Sequence, residues 1–586
     1  MTAPAARAAL ILASCAAAAA RTLLVLSPDA LASAANVSVA PGEPELLATY
    51  LGGVGGGPNV YAGWGYPSVV RGPLTNGSDG FLMIYSACAC AAAGCWGRQP
   101  LYTFLAESPD GVSWVPVTVP TAPPGAPPGA LFVSSEVGAV LDDAGGAGVG
   151  AGERYKLLRP DTTIQVSDDA RAWRRWRYNW TVQSVDPGFH ALRPARGGAA
   201  VVVTARPQAL RPEGRHAGTI VAADGWAGLG AQLATPTQPL DGLLYRWTDQ
   251  IYGLPAFDYA AVLAADPALP PALTRDADGG NYVAFAWRLL APNSETGWVT
   301  SALAFSRDAQ SWAPAPRAPA NVSLLATDTD LPGFTYRHIF GAWPSPAAGA
   351  AACNTACRND SSSCAAWAYV APAAARGPER CCLKRDLSAP VPAPGVVSGA
   401  RSDLGTRGSA PLAAQPPMFA LPTAPSAIAY RQFYPKSLLA IGGRLLIFAA
   451  VSSAMHGDSA PNVSGIEVFA LRADGLAAAT GPAAGAGAVV TAPLAWASGE
   501  AALNVLCGGG GGGVRVAALQ GGAPLPGYAL ADADAAPPGC DTLAWAPSWG
   551  GGARGLAALA GRTLQLQIEL SAGAKLFALR GDFALA

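Results

Sequence analysis

The chain has 586 residues and a formal net charge of −1, from 38 Lys+Arg against 39 Asp+Glu, with charged residues at only 13%. That near-neutral balance disfavours a protein that coats DNA or RNA through a basic surface. Hydrophobic residues reach 51% beside 69 Gly and 52 Pro, so the 16 Trp and 16 Tyr are more telling, as core or as ligand platform.

The first element is a leader. Arg7 precedes the apolar run ALILASCAAAAA at 9–20, Arg21 interrupts it, and TLLVL at 22–26 is a second apolar patch. Ala32-Ser33-Ala34 supplies a small-residue cleavage site, so residues 1–34 read as a secretory signal peptide. A signal anchor is the alternative. No later stretch holds eighteen apolar residues without polar punctuation, so no membrane span is expected after signal removal. Two further features agree with a secreted, extracellular protein. Sequons begin at Asn36, Asn76, Asn179, Asn321, Asn359 and Asn462. Eleven cysteines become ten once Cys15 leaves, an even number suited to disulfides in an oxidising compartment. Cys88, Cys90 and Cys95 cluster without a nearby histidine, which favours disulfide chemistry over zinc.

A hairpin then repeats along the body. LYTFLAESPDGVSW (101–114), QVSDDARAW (165–173) and LAFSRDAQSW (303–312) share Ser, an Asp two residues on, and a Trp four residues after that. The triplets are Ser108/Asp110/Trp114, Ser167/Asp169/Trp173 and Ser306/Asp308/Trp312. Each Asp is placed to accept backbone N–H groups in a tight turn, with the Trp packed back over the hairpin. Gly111 suits the positive φ of such a turn, whereas Ala170 and Ala309 suit it less well.

Further strands are expected in FLMIYSA (81–87), ERYKLL (153–158), YVAFAWRLL (282–290), SLLAIGGRLLIFAAV (437–451), GIEVFALRADG (465–475) and LQLQIEL (564–570). Long helical periodicity is missing, and Pro/Gly-rich tracts at 119–130 and 387–422 read as loops or linkers. The expected class is all-β: a five-bladed β-propeller with a small disulfide-rich insert and a C-terminal β-sandwich-like domain. Two β-sandwiches in tandem are the alternative. The expected boundaries are 45–345 and 423–482 for the propeller, 346–390 for the insert, 391–422 for a linker, and 490–586 for the C-terminal unit. Cys507 and Cys540 are candidates to staple that unit.

The strands FLMIYSA, ERYKLL and NYVAFAWR, with the turns ESPDGVSW, VSDDARAW and SRDAQSW, resemble secreted five-bladed propeller proteins related to glycoside hydrolase families 32, 43 and 68. The resemblance spans about 45–480 and implies a central funnel lined by three carboxylates: a nucleophile or base, an orienting aspartate and a Glu acid. The Asn-Asp-Pro, Arg-Asp-Pro and Glu-Cys motifs of the invertase branch are absent from this sequence. CNTACRNDSSSCAAWAY…RCCLKRD (353–386) is similar to a PAN/apple module. That likeness implies protein or glycan contact through the insert.

Glycoside hydrolysis needs two carboxyl groups across the sugar, one protonated and one ionised, and no organic cofactor. Asp258, in PAFDYAAVLA, is the first candidate for base, nucleophile or orienting acid; its structural alternative is a turn cap. Glu467, in GIEVFALR, is the candidate general acid, with Asp186 and Glu136 in reserve. Arg288, Arg337, His338, Trp247 and Tyr259 are the candidate substrate-binding residues, alongside the aromatics Tyr252 and Phe257. WRRWRYNW (173–180) is a local basic-aromatic stretch suited to a polyanion or to one exposed strand face. GxSxG, HExxH and GxxxxGK[ST] are absent, which disfavours serine hydrolase, zincin and P-loop chemistry. The expected partner is an extracellular or cell-wall glycan. The alternative is a noncatalytic carbohydrate-binding or cell-surface adhesion protein on the same scaffold.

Overall fold

The computed structural model describes most of residues 20–586. Residues 1–19, the segments 90–100, 180–189, 206–216, 227–248, 271–279, 291–297, 316–325, 341–351, 358–365, 371–379, 385–390, 401–427 and 509–512, and several shorter stretches lie outside the described residues. What is described is almost entirely β.

The N-terminal segment forms β1 (Ala20–Leu24), β2 (Leu31–Ala35), β3 (Ser38–Pro41) and β4 (Glu45–Leu51). The first body sheet holds β5 (Val60–Tyr61), β6 (Ser68–Pro73), β7 (Asp79–Ala89), β8 (Leu101–Ser108), β9 (Val115–Pro116) and β10 (Ala130–Val133). The second is β11 (Ala139–Asp142), β12 (Tyr155–Leu158), β13 (Thr163–Ser167) and β14 (Arg174–Asn179); the third is β15 (His190–Leu192), β16 (Val201–Ala205) and β17 (Gly218–Ala222). A further ladder has β18 (Asp249–Gly253), β19 (Ala256–Asp258), β20 (Tyr282–Leu290), β21 (Trp298–Ser306) and β22 (Ala313–Ala315), with helix α1 (Tyr259–Ala264) between β19 and β20. The chain then builds a separate sheet from β23 (Ala326–Asp330), β24 (Thr335–Phe340), β25 (Ala366–Val370), β26 (Arg380–Lys384) and β27 (Val391–Ala400), in the order β23-β27-β25-β26-β24. It returns as β28 (Gln432–Ile441), β29 (Arg444–Ser452) and β30 (Ser464–Arg472), whose outer neighbour is β4. The parallel pair Val299↔Gln432 joins this ladder to β21.

Strands near the start of successive ladders pack on one another: β6 on β11, β11 on β15, β15 on β19 and β28 on β6, with α1 against both β19 and β28. The site region lies among these strands. Their neighbours are buried on both faces, so period-2 alternation feeds two cores at once. Along β20, Val283, Phe285, Trp287 and Leu289 join a core with Tyr66 and Tyr434. Tyr282, Ala284 and Ala286 join another with Leu192, Val202 and Ile251.

The repeated turns have the expected chemistry. Ser108 Oγ donates to Asp110 Oδ1 at 2.9 Å, and that oxygen also accepts from the N–H groups of Val112 and Ser113 at 2.8 and 2.7 Å. Asp169 accepts in the same way from Ser167, Arg171 and Ala172, and Asp308 from Ser306, Gln310 and Ser311. φ is +76° at Gly111, +59° at Ala170 and +58° at Ala309, so two alanines occupy the left-handed region. Trp114 and Trp173 donate Nε1–H to the carbonyls of Gly111 and Ala170, both at 2.9 Å. Trp312 is buried, but its Nε1 has no hydrogen-bond partner among the described residues.

The last strands are β31 (Ala477–Thr480), β32 (Ala486–Thr491), β33 (Leu494–Leu506), β34 (Val514–Gln520), β35 (Ala523–Pro524), β36 (Asp541–Trp545), β37 (Thr563–Ser571) and β38 (Lys575–Leu585). With β1, β2 and β3 they form an eleven-stranded sheet. Alternation along β37 buries Leu564, Leu566, Ile568 and Leu570, each contributing about 2 kcal/mol through removal from water. A Cys507–Cys540 disulfide ties this region.

Three stretches near the expected boundaries are described as strands. Residues 20–24 and 31–34 of the expected leader, together with Ala35 just beyond it, are paired strands on β38 and β32. Val391–Ala400, read as linker, is a strand between β23 and β25. Its prolines, Pro392 and Pro394, fall in the half where β25 is not yet a partner; pairing to β25 runs over Val396–Ala400. Proline is tolerated where a ladder hydrogen bond is not required. Finally, the separate sheet begins with β23 and β24, before residue 346.

Candidate functional site

Asp258 ends β19 and is the N-cap of α1, its carboxylate accepting from Ala261 N at 3.2 Å. Its strand partner is Tyr282, and the adjoining Asn281 donates Nδ2–H to the Thr22 carbonyl of β1 at 2.8 Å. Asp258 therefore lies at the end of its ladder that meets the N-terminal strand. Tyr259 continues into the helix, and its hydroxyl donates to Asp474 Oδ1 at 3.0 Å while accepting from Asp474 N at 2.9 Å. Both hydrogen-bonding directions of that hydroxyl are used inside the protein, in a docking contact.

Glu467 is fully buried midway along β30, opposite Ala449 on one side and Thr49 on the other. Thr49 donates Oγ1–H to Glu467 Oε1 at 3.1 Å, and Tyr430 donates its hydroxyl to Oε2. These partners put the two candidate carboxylates in separate environments: Asp258 at the junction with β1, Glu467 between β4 and Tyr430.

Arg288 is buried on β20, where alternation turns it to the face opposite Trp287. Arg337 and His338 lie on β24, paired with Leu383 and Cys382. They belong to the cysteine-rich sheet, not to the ladder of Asp258. Trp247, Asp186 and Glu136 lie outside the described residues.

A different group converges where β6 and β28 meet. Tyr66, just before β6, stacks on Trp287 with ring centroids 5.2 Å apart, and meets Tyr434 of β28 edge-on at 5.4 Å. Trp287 and Tyr434 are themselves 5.2 Å apart, with Trp287 Nε1 donating to the Pro435 carbonyl at 2.8 Å. Tyr252 of β18 lies 5.9 Å from Tyr434 and 5.0 Å from the ring of His456. Lys436 places its Nζ 5.6 Å from the centre of the Trp287 ring. His190, which opens β15, has its ring 4.8 Å from Phe257.

The electrostatics of this group follow from burial. Desolvation brings the Lys436 ammonium from 10.5 down to about 7. His190 is pushed well below the usual imidazole value, first by desolvation and then by the Lys436 charge. The group thus combines buried aromatic rings with a lysine amine whose proton exchange is brought close to neutral pH and an imidazole that desolvation holds in its neutral form. Sequence reasoning ranked Tyr252 and Phe257 among its aromatics but missed Tyr66, His190, Tyr434, Lys436 and His456. The available signal was a lysine within an otherwise apolar and aromatic strand, QFYPKSLLAI.

Residues 329–384 match the PAN domain family. Within that stretch Cys353 pairs with Cys381, and Cys357 is also disulfide-bonded. The match covers the insert and not the body of the chain. No curated protein matches the chain. Among solved structures, the chain is similar to one described as a glycoside hydrolase, at 10% identity, 80% of this chain, 96% of that one and a TM-score of 0.31. It is also similar to the α-L-arabinofuranosidase Arb93A from Fusarium graminearum in complex with an iminosugar inhibitor, at 9% identity, 75% and 99% coverage and a TM-score of 0.27.

Proposed function

We propose that the protein is a secreted, glycan-active protein on a five-bladed propeller, with a C-terminal β-sandwich-like unit and a PAN-type insert between the last two blades. The observation that supports the scaffold is the run of contacts from β6 through β11, β15 and β19 to α1 and β28, and back to β6. That circuit draws β6, β11 and β15 from three separate sheets, and β19 and β28 from the nine-stranded sheet that holds both. The glycan reading is supported by the convergence of Tyr66, Tyr252, Trp287, Tyr434, His190 and Lys436, of which Tyr66, Trp287, Tyr434 and Lys436 are fully buried, so a sugar reaches them only where the surrounding strands open. The ligand proposed is an extracellular or cell-wall poly- or oligosaccharide, and the reaction is glycoside hydrolysis with paired carboxylates, without an organic cofactor.

Asp258 and Glu467 remain the proposed acid pair, with Arg288 as a substrate-binding residue. A second reading, noncatalytic glycan binding or adhesion, is favoured by one observation: Asp258 caps a helix and Glu467 is held by Thr49 and Tyr430. The test is product release from a panel of neutral and acidic polysaccharides by secreted, disulfide-intact protein. Release that Asp258→Asn or Glu467→Gln abolishes in a folded protein establishes the hydrolase and its acids. Release that survives both variants moves the chemistry to other carboxylates. If nothing is released, binding to the same panel that Trp287→Ala weakens supports the second reading.

A further inference from the structure

We infer that residues 20–41 are a permanent clasp joining the C-terminal sheet to the propeller body, and that any leader cleavage falls before Ala20 rather than at Ala34. Strand β1 pairs along β38 in the register Ala20↔Asp582 to Leu24↔Ala578. Its side chains alternate between two cores. Leu24, fully buried, packs with Tyr252, Phe257, Trp287 and Tyr434 of the body. Leu23 and Val25 pack with Trp496, Leu566 and Phe583 of the C-terminal sheet. A strand of period two, with both faces apolar, is suited to lie between two cores.

Polar contacts lock the same strand from the body side. Asn281 Nδ2 donates to the Thr22 carbonyl at 2.8 Å, and Arg307 Nη1 donates to Asn281 Oδ1 at 2.6 Å. Arg307 Nη2 also reaches Ser27 Oγ at 3.2 Å. The chain leaves β1 through buried Ala30, whose carbonyl accepts from Ala492 N at 3.0 Å. It continues as β2 on β32, β3 on β31 and finally β4 on β30, so four successive N-terminal strands pair with the C-terminal third. The Ala32-Ser33-Ala34 triplet lies inside β2, with Ser33 opposite Val490 and Ala34 opposite Val489. Cleavage after Ala34 removes β1 and nearly all of β2. That exposes the faces of Phe577, Leu579 and Ala578 that β1 covers, and leaves the Asn281 amide without the Thr22 carbonyl.

The test is to express the full chain in a eukaryotic secretory host and map the N-terminal peptide of the folded protein by mass spectrometry. The expected N-terminus lies at or before Ala20, with residues 22–35 recovered from the native protein. A folded protein beginning at Ala35 overturns the inference. Because truncation can abolish folding, a second measurement uses Leu24→Ala and Thr22→Pro in the full chain, followed by calorimetry and limited proteolysis. A melting temperature lower by about 4 °C or more, with faster cleavage between the body and the C-terminal sheet, is the expected outcome. Melting and cleavage unchanged in both variants overturn the clasp.

Discussion

Lys436 is fully buried on β28, and its value near 7 lies below the 10.5 of an ordinary lysine. The unfolded chain therefore holds the extra proton between about pH 7 and pH 10.5. Stability rises with pH across that window, and the cost is fully present below pH 7. The shift corresponds to a penalty on the order of 4 kcal/mol at pH 6. Lys436→Met is expected to raise stability at pH 6 and to flatten the rise toward pH 10, read by urea denaturation at both values. If Lys436 serves the glycan, the same variant loses binding or turnover while gaining stability. Asp110 shows the opposite sign. Burial alone would raise its carboxyl, but N–H groups of Ser113 and Val112, with the hydroxyls of Ser113 and Ser108, bring it down to about 2. Its contribution is present above the ordinary carboxylate value of 3.8 and is lost as pH falls through about 2. Asp110→Ala is expected to cost about 1–2 kcal/mol at pH 7, and less at pH 2, in denaturant titrations.

Elements meet at Asp474, in the turn after β30. Its carboxylate accepts from Arg580 of β38 at 2.6 Å, Asn504 of β33 at 2.8 Å and Tyr259 of α1 at 3.0 Å. The Asp474 and Arg580 side chains are 0% and 4% exposed, so neither charge is offset by water. Burial would raise the Asp474 carboxyl, but Arg580 and these hydrogen bonds outweigh it and hold the acid below its usual value. Removing one partner of a buried pair strands the other, at about 3–5 kcal/mol. Asp474→Ala is expected to lower the melting temperature and to separate unfolding of the C-terminal sheet from that of the body, seen as two calorimetric transitions. Hairpins were the most legible elements in the sequence, because a Ser, an Asp and a Trp within seven residues make their own turn. Asp258 was less legible: the pattern around it fits a funnel strand and a helix cap equally, and only the folded chain shows its carboxylate accepting from the Ala261 N–H.

For the whole molecule, the Cys507–Cys540 disulfide closes a sequence separation of 33 within the C-terminal sheet. By loop-closure entropy such a link is worth about 3–4 kcal/mol. The Cys507→Ala/Cys540→Ala double variant is expected to destabilise the C-terminal sheet by that order, with a smaller effect on the body, measured by hydrogen exchange. Hydrogen exchange resolved by region separates this from a global effect, because local opening need not follow the global transition.

By itself the sequence determined the all-β class, the three serine–aspartate turns, the cysteine-rich insert and most strands of the body. Alternation, turn residues and cysteine spacing are local quantities that a chain carries along its length. Only the tertiary structure decided that residues 22–25 run from β1 into a turn, contributing Leu24 to one core and Leu23 and Val25 to the other. A short apolar run beside an alanine-rich one reads as a leader until its distant partner, β38, is in place. The same holds for the site. Tyr66, His190, Trp287 and Lys436 are scattered over 370 residues and share no local pattern. Packing of β6, β11, β15, β19 and β28 in succession makes them neighbours, and the burial so created moves the Lys436 and His190 proton affinities.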